Sequence, residues 1–347
     1  MILVDNYIGA ILCCVYCCLC WGSWANTQKM VTSKSWSFEL FYWDLTFGLF
    51  FTALLGALTL GSLGGEGRTF FGDLAVMDWN SMKYALLGGI VWNFGNIFLT
   101  AAIAVAGMSI GFPIGGGLAW IGGIIFNYLL ISLAGEVYPG NQTLLWIGVA
   151  VIVIAICICG KAYGKMSASQ ASTPKKGILL ANLAGVGIIF FFCFVFFFFF
   201  YGLVVKSLNP QYVTGGTGTL TPYTGVFCFA AGVLITTPVF NTFAMSHPAQ
   251  GNKVTMKDYL KGDTRTHLIG MLGGFIWMSG MVVSFMGAGS ANPAIAYALS
   301  NAAPVVAMIW GFFVWKEFKG APKGTVPMIA TMFVLFVVGL VLITLSN

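Results

Sequence analysis

The sequence has very little charge for its length. Of its 347 residues, 16 are Lys or Arg and 10 are Asp or Glu, so charged residues make up 7% while hydrophobic residues make up 59%. Soluble globular domains carry about 25% charged residues, so the composition excludes one. Strict alternation of apolar and polar residues is also absent, which excludes a membrane barrel. Because the apolar runs reach the roughly 20 residues that a helix needs to cross a bilayer, the sequence predicts an all-α polytopic membrane protein.

Catalytic and metal-binding patterns are scarce as well. The two histidines are His247 and His267, and no HExxH, P-loop, GxSxG or paired-aspartate motif occurs. The nine cysteines all fall within apolar runs and indicate small buried side chains, not a metal site or a disulfide framework. The first apolar stretch lacks a basic n-region and a cleavage site, so no signal peptide is predicted. We expect neither an enzyme nor a protein that needs a cofactor or metal.

The apolar runs predict ten membrane-spanning helices. Their approximate bounds are 7–24, 38–60, 82–104, 109–133, 142–160, 178–205, 222–244, 267–286, 292–315 and 325–345. Residues 161–177 are polar, basic and rich in small residues, which predicts a cytoplasmic linker. Residues 1–160 then form one five-helix repeat and residues 178–347 form the other. Because five is odd, the second half enters the membrane from the opposite side, so the repeats are predicted to be inverted.

A repeated motif supports this division into halves. Residues 88–95 read GGIVWNFG and residues 273–280 read GGFIWMSG, with GG, an aliphatic residue, Trp and Gly in the same places. A second echo links GMSIGFP at 107–113 with GAGSANP at 287–293. Two echoes in the same order indicate the internal duplication found in many transporters.

Lys and Arg are distributed unequally between the two predicted sides of the membrane. The side that holds both termini carries Arg68, Lys83 and Lys206. The other side carries thirteen: Lys29, Lys34, Lys161, Lys165, Lys175, Lys176, Lys253, Lys257, Lys261, Arg265, Lys316, Lys319 and Lys323. Since cytoplasmic loops carry the excess of Lys and Arg, both termini are predicted to lie outside the cytoplasmic membrane. The same bias accounts for the net charge of +6, with membrane lipid and not nucleic acid as the surroundings.

Asp44 is the leading candidate for a functional charge, because ionisable residues at membrane depth are rare and costly. It lies about two turns into the second predicted span. Its carboxylate would bind the coupling ion, a proton or another cation, or would anchor the substrate. The alternative is a carboxylate at the membrane interface, held by Lys29 or by helix-end amides. We expect that interfacial place for Glu39.

Neutral polar side chains form a second set of candidates. Asn93 and Asn96 lie one turn apart in the third span, and Tyr297 and Asn301 share a face of the ninth. Amides and aromatic rings suit a neutral polar solute, although hydrogen bonding between helices is the alternative role for each Asn. The predicted substrate site lies near the midplane between the halves. Its lining residues are Trp21, Trp24, Asp44, Trp92, Asn93, Asn96, Trp277, Tyr297 and Asn301.

Several motifs resemble those of the drug/metabolite transporter superfamily, and within it the glucose/ribose porter and ureide permease group with its rhamnose transporter relatives. They are WGSWANTQK at 21–29, YWDLT at 42–46, Gly95-Asn96, GMSIGFP at 107–113 and the run at 291–320. The resemblance covers essentially the whole chain. It implies secondary active transport by alternating access, often coupled to protons, of sugars, ureides or nucleobase-like compounds.

We therefore expect a transporter that imports a small polar metabolite, with sugars ahead of ureides and nucleobase-like compounds. A multidrug or metabolite exporter of the same superfamily is the alternative. From another class, the alternative is a membrane sensor or scaffold that transports nothing.

Overall fold

The structure is a computed structural model that describes residues 1–32, 36–133, 140–170, 199–200, 202–213, 215–249, 251–290 and 302–346. Its regular elements within these residues are helices. We number them α1 (Tyr7–Ser23), α2 (Ala25–Thr32), α3 (Phe38–Leu58), α4 (Phe70–Val76), α5 (Trp79–Ala106), α6 (Met108–Leu133), α7 (Gln142–Gln170), α8 (Pro222–Ser246), α9 (Met256–Tyr259), α10 (Thr264–Met286), α11 (Ala303–Ile309) and α12 (Thr325–Leu345). A π-helical turn, Trp310–Val314, continues α11.

Seven membrane-spanning candidates occur among the described residues, judged by length and apolar composition. They are α1 with α2, and α3, α5, α7, α8, α10 and α12. Helix α6 also follows its predicted span closely. Most of the predicted sixth span and the first part of the ninth lie outside the described residues, so the count of ten remains a prediction.

Two helices depart from the predicted bounds. Helix α7 continues to Gln170, so the first part of the predicted linker is helical. The residues KAYGKMSASQ at its end contain no proline and several good helix formers, and loss of hydrophobicity there does not end the helix. The first span likewise extends past its predicted end, because α2 follows α1 directly after Trp24 and reaches Thr32.

The main helix contacts join the first half of the chain to the second. Helix α3 packs on α8 and α10, α5 packs on α8, α6 packs on α11, and α7 packs on α12. One large apolar core lies among α1, α3, α5, α8 and α10. A second core lies among α6, α7 and α12. Of the predicted site residues, Trp24, Trp92 and Trp277 belong to the first core and Trp21 packs against it.

The repeated GG motif in α5 brings this helix very close to α8. A Cβ atom at Gly89 would overlap the backbone carbonyl of Phe229 in α8. In return, a Cβ atom at Gly232 of α8 would overlap the backbone carbonyl of Leu86 in α5. The two backbones approach so closely that neither position has room for a side chain.

The second GG motif brings the backbone of α10 equally close to that of α3. A Cβ atom at Gly274 would overlap the carbonyl of Leu45 in α3, and one at Gly48 of α3 would overlap the carbonyl of Met271 in α10. The contacts of α10 with α3 therefore correspond, glycine for glycine, to those of α5 with α8.

Candidate functional site

Three of the predicted tryptophans form one buried aromatic cluster. Trp92 of α5 and Trp277 of α10, the matching residues of the two motifs, have ring centroids 4.3 Å apart. Trp21 of α1 stacks on Trp277 at 5.4 Å and donates from Nε1 to the Trp277 carbonyl at 3.2 Å. Phe229 of α8 stacks on Trp277 at 5.9 Å. The cluster thus lies where four helices from both halves meet.

Trp24 is buried elsewhere in the same core. Its ring lies 6.3 Å from that of Phe112 in α6, centroid to centroid. Trp24 therefore packs the first span against α6, whereas Trp21 packs against Trp277.

Asn93 connects three helices through its amide. Its Oδ1 accepts a hydrogen bond from the Tyr42 hydroxyl of α3 at 2.8 Å. Its Nδ2 donates to the Val233 carbonyl at 3.1 Å and to the Thr236 and Thr237 hydroxyls of α8 at 3.0 and 3.2 Å. Both ends of this amide are therefore paired in hydrogen bonds between helices.

Asn96 is held at one end only. Its Nδ2 donates to the Tyr42 hydroxyl at 3.4 Å, whereas its Oδ1 is buried without a partner among the described residues. Gln28 of α2 has the same character. Its Nε2 donates to the Thr100 carbonyl of α5 at 2.8 Å, and its Oε1 is a second buried acceptor that lacks a partner there.

Asp44 lies in a different group of side chains. Its Oδ1 accepts hydrogen bonds from the Tyr259 hydroxyl at 2.6 Å and from His267 Nδ1 at 2.8 Å. The carboxylate is 1% exposed, and its Oδ2 has no partner among the described residues. Trp36 lies edge-on to His267, with ring centroids 5.4 Å apart. Burial, together with the hydrogen bond to Asp44, raises the pKa of the Tyr259 hydroxyl, so Tyr259 remains a hydrogen-bond donor.

The suggested alternative partner of Asp44, Lys29, is engaged elsewhere. Lys29 forms an ion pair with Glu317, whose carboxylate also accepts from the backbone N–H groups of Met108 and Ser109 at the start of α6. Glu39, expected at the interface, is fully buried, and its backbone carbonyl accepts from Asn241 of α8.

The sequence model of the ureide permease family matches residues 41–179 and 173–346. The chain belongs to the ureide permease family. Ureide permease 1 and ureide permease 2 of Arabidopsis thaliana are each 25% identical, over 100% of this chain and 99% of their own lengths. Probable ureide permease A3 of Vigna unguiculata is 28% identical over 50% of this chain and 45% of its own.

One solved crystal structure of a protein shares the fold. The superposition has a TM-score of 0.53 at 16% identity and covers 97% of this chain and 96% of that chain. Family membership confirms the resemblance seen in the short motifs. This ureide permease family member is a multi-pass membrane transporter of small polar molecules and not an enzyme.

Apart from Trp24, the predicted site residues of this family member that the structure describes form two groups. Trp21, Trp92, Asn93, Asn96 and Trp277 surround the contact between the repeated motifs. Asp44 faces α9 and α10 instead, because residues two apart on a helix do not share a face and Tyr42 already faces α5. Tyr297 and Asn301 lie outside the described residues.

Four participating residues were not predicted from the sequence: Tyr42, Gln28, Tyr259 and His267. Tyr42 and Gln28 carried a usable signal, because each is a polar group in or beside an apolar run within motifs already noted at 42–46 and 21–29. Tyr259 belongs to a polar region that composition alone assigns to a loop, and His267 lies at the edge of that region, at the first residue of the predicted span 267–286.

Proposed function

We propose that this protein imports a ureide, a small uncharged molecule that contains N–H groups beside a carbonyl, through a site between its two halves. The observation that carries the proposal is the set of buried amides beside the Trp92–Trp277 contact, in a chain whose relatives are named ureide permeases. The hydrogen-bond partners of Asn93, Asn96 and Gln28 among the described residues are hydroxyls and carbonyls, none of them charged. Such a site suits a neutral polar solute.

The proposed architecture is ten spanning helices in two inverted five-helix repeats, 1–160 and 178–347, with the segment 161–177 between them. The matched glycine contacts of α5 with α8 and of α10 with α3 support it. The meeting of Trp92 and Trp277 supports a substrate site at the boundary between the repeats. Alternating access then consists of rocking one repeat against the other around that site.

Substrate class is tested by the thermal stability of the purified protein with added ligands. A ligand that binds only the folded state stabilises it by about 2.7 kcal/mol at a hundredfold excess over its dissociation constant. We expect cyclic ureides such as allantoin and hydantoin to raise the melting temperature. Sugars are the second candidate, since amides and stacked rings also fit them, and stabilisation by monosaccharides alone would replace ureides with sugars. Hits only among lipophilic dyes would favour export, and no hit at all would favour a sensor or scaffold.

Asp44 is the proposed coupling group for protons. Its carboxylate is buried and contacts His267, the kind of setting in which protonation is linked to conformation. Because Tyr42 and Asp44 belong to the same helix, movement of α3 would link the carboxylate to the amides.

We expect Asp44→Asn to abolish the pH dependence of ureide uptake into proteoliposomes while substrate binding persists. Asp5→Asn is the matched control, because Asp5 is exposed and precedes α1. Full pH-dependent uptake by Asp44→Asn would remove Asp44 from the coupling role.

A further inference from the structure

We infer that Gln28 and Asn96 recognise the N–H groups of the substrate, each accepting one hydrogen bond with its side-chain oxygen. The inference rests on the proposed function and extends it by assigning the atoms that select a ureide. It depends on the direction of each hydrogen bond, which the surrounding groups determine.

The partners on α8 determine the orientation of the Asn93 side-chain amide. The Thr237 hydroxyl donates its single hydrogen to the Val233 carbonyl at 2.8 Å, so its oxygen accepts from Asn93 Nδ2. The Val233 carbonyl, which can only accept, also receives Asn93 Nδ2. The NH₂ end of Asn93 therefore faces α8, and its Oδ1 faces Tyr42.

The orientation of Asn93 determines the hydrogen bonding of Tyr42, and Tyr42 in turn determines the orientation of Asn96. The Tyr42 hydroxyl gives its single hydrogen to Asn93, with Oδ1 at 2.8 Å and the backbone carbonyl at 3.1 Å. It has only lone pairs left for Asn96, so Asn96 presents its NH₂ group to Tyr42. The oxygen of Asn96 is consequently the end left without a partner among the described residues, and the side chain is 1% exposed.

Gln28 is oriented by an independent contact. Its NH₂ group donates to the Thr100 backbone carbonyl, an acceptor only, so its oxygen is the unpaired end. The residue is 1% exposed. Thr100 lies one turn after Asn96 on α5 and donates to the Asn96 carbonyl at 2.8 Å. The amide of Gln28 therefore contacts α5 one turn away from Asn96.

Two buried acceptors of fixed direction select for a ligand that brings two donors. A buried polar atom without a partner is costly, and a ligand N–H removes that cost. The group –NH–CO–NH– supplies N–H donors on both sides of its carbonyl. Methylation of one nitrogen leaves one donor, and methylation of both leaves none. Gln28 and Asn96 would thus be specificity-determining residues, and Tyr42 would be a positioning residue that holds Asn96 in its orientation.

The test compares hydantoin with its 1-methyl, 3-methyl and 1,3-dimethyl derivatives on the purified full-length protein, with the dissociation constant as readout. We expect N-methylation to weaken binding to the wild type by about tenfold or more. In Gln28→Leu and Asn96→Leu, parent hydantoin should weaken and the ratio between methylated and parent ligand should fall toward one. Gln211→Leu, the same change at an exposed loop residue, should leave the ratio at its wild-type value.

Tyr42→Phe tests the positioning role without changing either acceptor. Loss of the hydroxyl frees the Asn96 amide to rotate, so the ratio should fall, while the bonds of Asn93 to α8 keep the helices joined. This variant also serves if a leucine substitution prevents folding.

The outcomes separate the two proposals. If neither hydantoin nor allantoin binds the wild type, the proposed function is wrong and this inference is wrong with it. If hydantoin binds but N-methylation has no effect, or if the ratio is unchanged in the Gln28, Asn96 and Tyr42 variants, the acceptor assignment is wrong and ureide transport stands.

Discussion

Asn93 and Asn96 differ in their hydrogen bonds although they are the same residue type, one turn apart on α5. Asn93 uses both ends of its amide and connects α3, α5 and α8. Asn96 uses only its NH₂ group. Removal of Asn93 leaves several buried groups of its neighbours without hydrogen-bond partners. Removal of Asn96 takes only one long hydrogen bond from the Tyr42 hydroxyl.

We therefore expect Asn93→Ala to lower the free energy of unfolding by roughly 1–3 kcal/mol, because buried partners lose their hydrogen bonds. Asn96→Ala is the matched comparison and should cost less than about 1 kcal/mol while reducing substrate binding. Reversible unfolding in mixed micelles measures both. An equal loss of stability in the two variants would contradict the distinction between a structural and a substrate-facing amide.

Asp78 offers a pH-dependent test outside the membrane spans. It caps α5, and hydrogen bonds from Ser81 and Thr219 lower its pKa to about 2. A depressed pKa in the folded state stabilises the protein above the unfolded value of about 3.9, and this contribution is lost as pH falls from there toward 2.

The prediction for Asp78 compares two variants by melting temperature from pH 7 down to pH 2. Asp78→Ala should lose about 0.5–2 kcal/mol at neutral pH through the missing cap, and its deficit should shrink below about pH 4. Asp78→Asn keeps the cap and cannot titrate, so its stability should depend less on pH than that of the wild type. A constant deficit for Asp78→Ala down to pH 2 would refute the contribution.

Residue types could be predicted from the sequence, but their partners could not. Trp92, Trp277, Asn93 and Asn96 stood out because a repeated motif and one-turn spacing mark them. That spacing reports only which face of one helix two residues share. The contacts that distinguish Asn96 from Asn93, and that hold Asp44 beside His267, come from helices far away in the chain.

At the level of elements, hydrophobicity predicted where helices cross the membrane, and it failed to predict the end of a helix only where the helix continues into polar sequence. The described bounds of α3, α5, α8, α10 and α12 lie within a few residues of the predicted spans. Helix α7 runs on into polar sequence because helix propensity continues after apolar character stops. The π-helical turn after α11 left no signal in the sequence, since it depends on how residues 310–317 fit against α6.

Close backbone contact gives the sharpest prediction at this scale. Gly89→Ala and Gly274→Ala place a methyl group against a backbone carbonyl that cannot move alone, so each should destabilise the protein by about 1–3 kcal/mol or more. The two should behave alike if the interfaces correspond. Gly160→Ala and Gly164→Ala in α7 are the controls, because a Cβ there meets nothing within 4 Å. They should be neutral or slightly stabilising, and equal losses at all four positions would rule out close packing as the cause.

In the whole molecule, duplication of the packing is not accompanied by duplication of the chemistry. The contact of Leu45 with Gly274 can be aligned with the contact of Phe229 with Gly89. In this alignment Cys228 corresponds to Asp44, and Ala85 corresponds to Gly270. The Asp44–His267–Tyr259 group therefore occurs at the contact of α3 with α10 and has no counterpart in the equivalent positions of α5 and α8. A titratable group at one interface alone makes the two otherwise similar halves chemically different, as the proposed proton coupling requires.

That direction depends on which end faces the cytoplasm. The amino terminus contacts the backbone of Glu66, and the hydroxyl of Tyr212 lies against Gly67 in the same loop. Gln211, next to Tyr212, therefore lies at the same end of the molecule as the amino terminus. Lys257 of α9 is exposed beside the Asp44 group. With the excess of Lys and Arg inside, the first end is expected outside and the second in the cytoplasm.

We expect a membrane-impermeant maleimide to label Gln211→Cys in intact cells and Lys257→Cys only after permeabilisation. The wild type provides the background, because its cysteines lie in apolar runs. The opposite pattern would place both termini and the Gln211 loop in the cytoplasm and the Asp44 group on the outer side. Protons entering from outside would then meet Asp44 before crossing the membrane, and the coupling test on Asp44→Asn would have to be repeated with the gradient reversed.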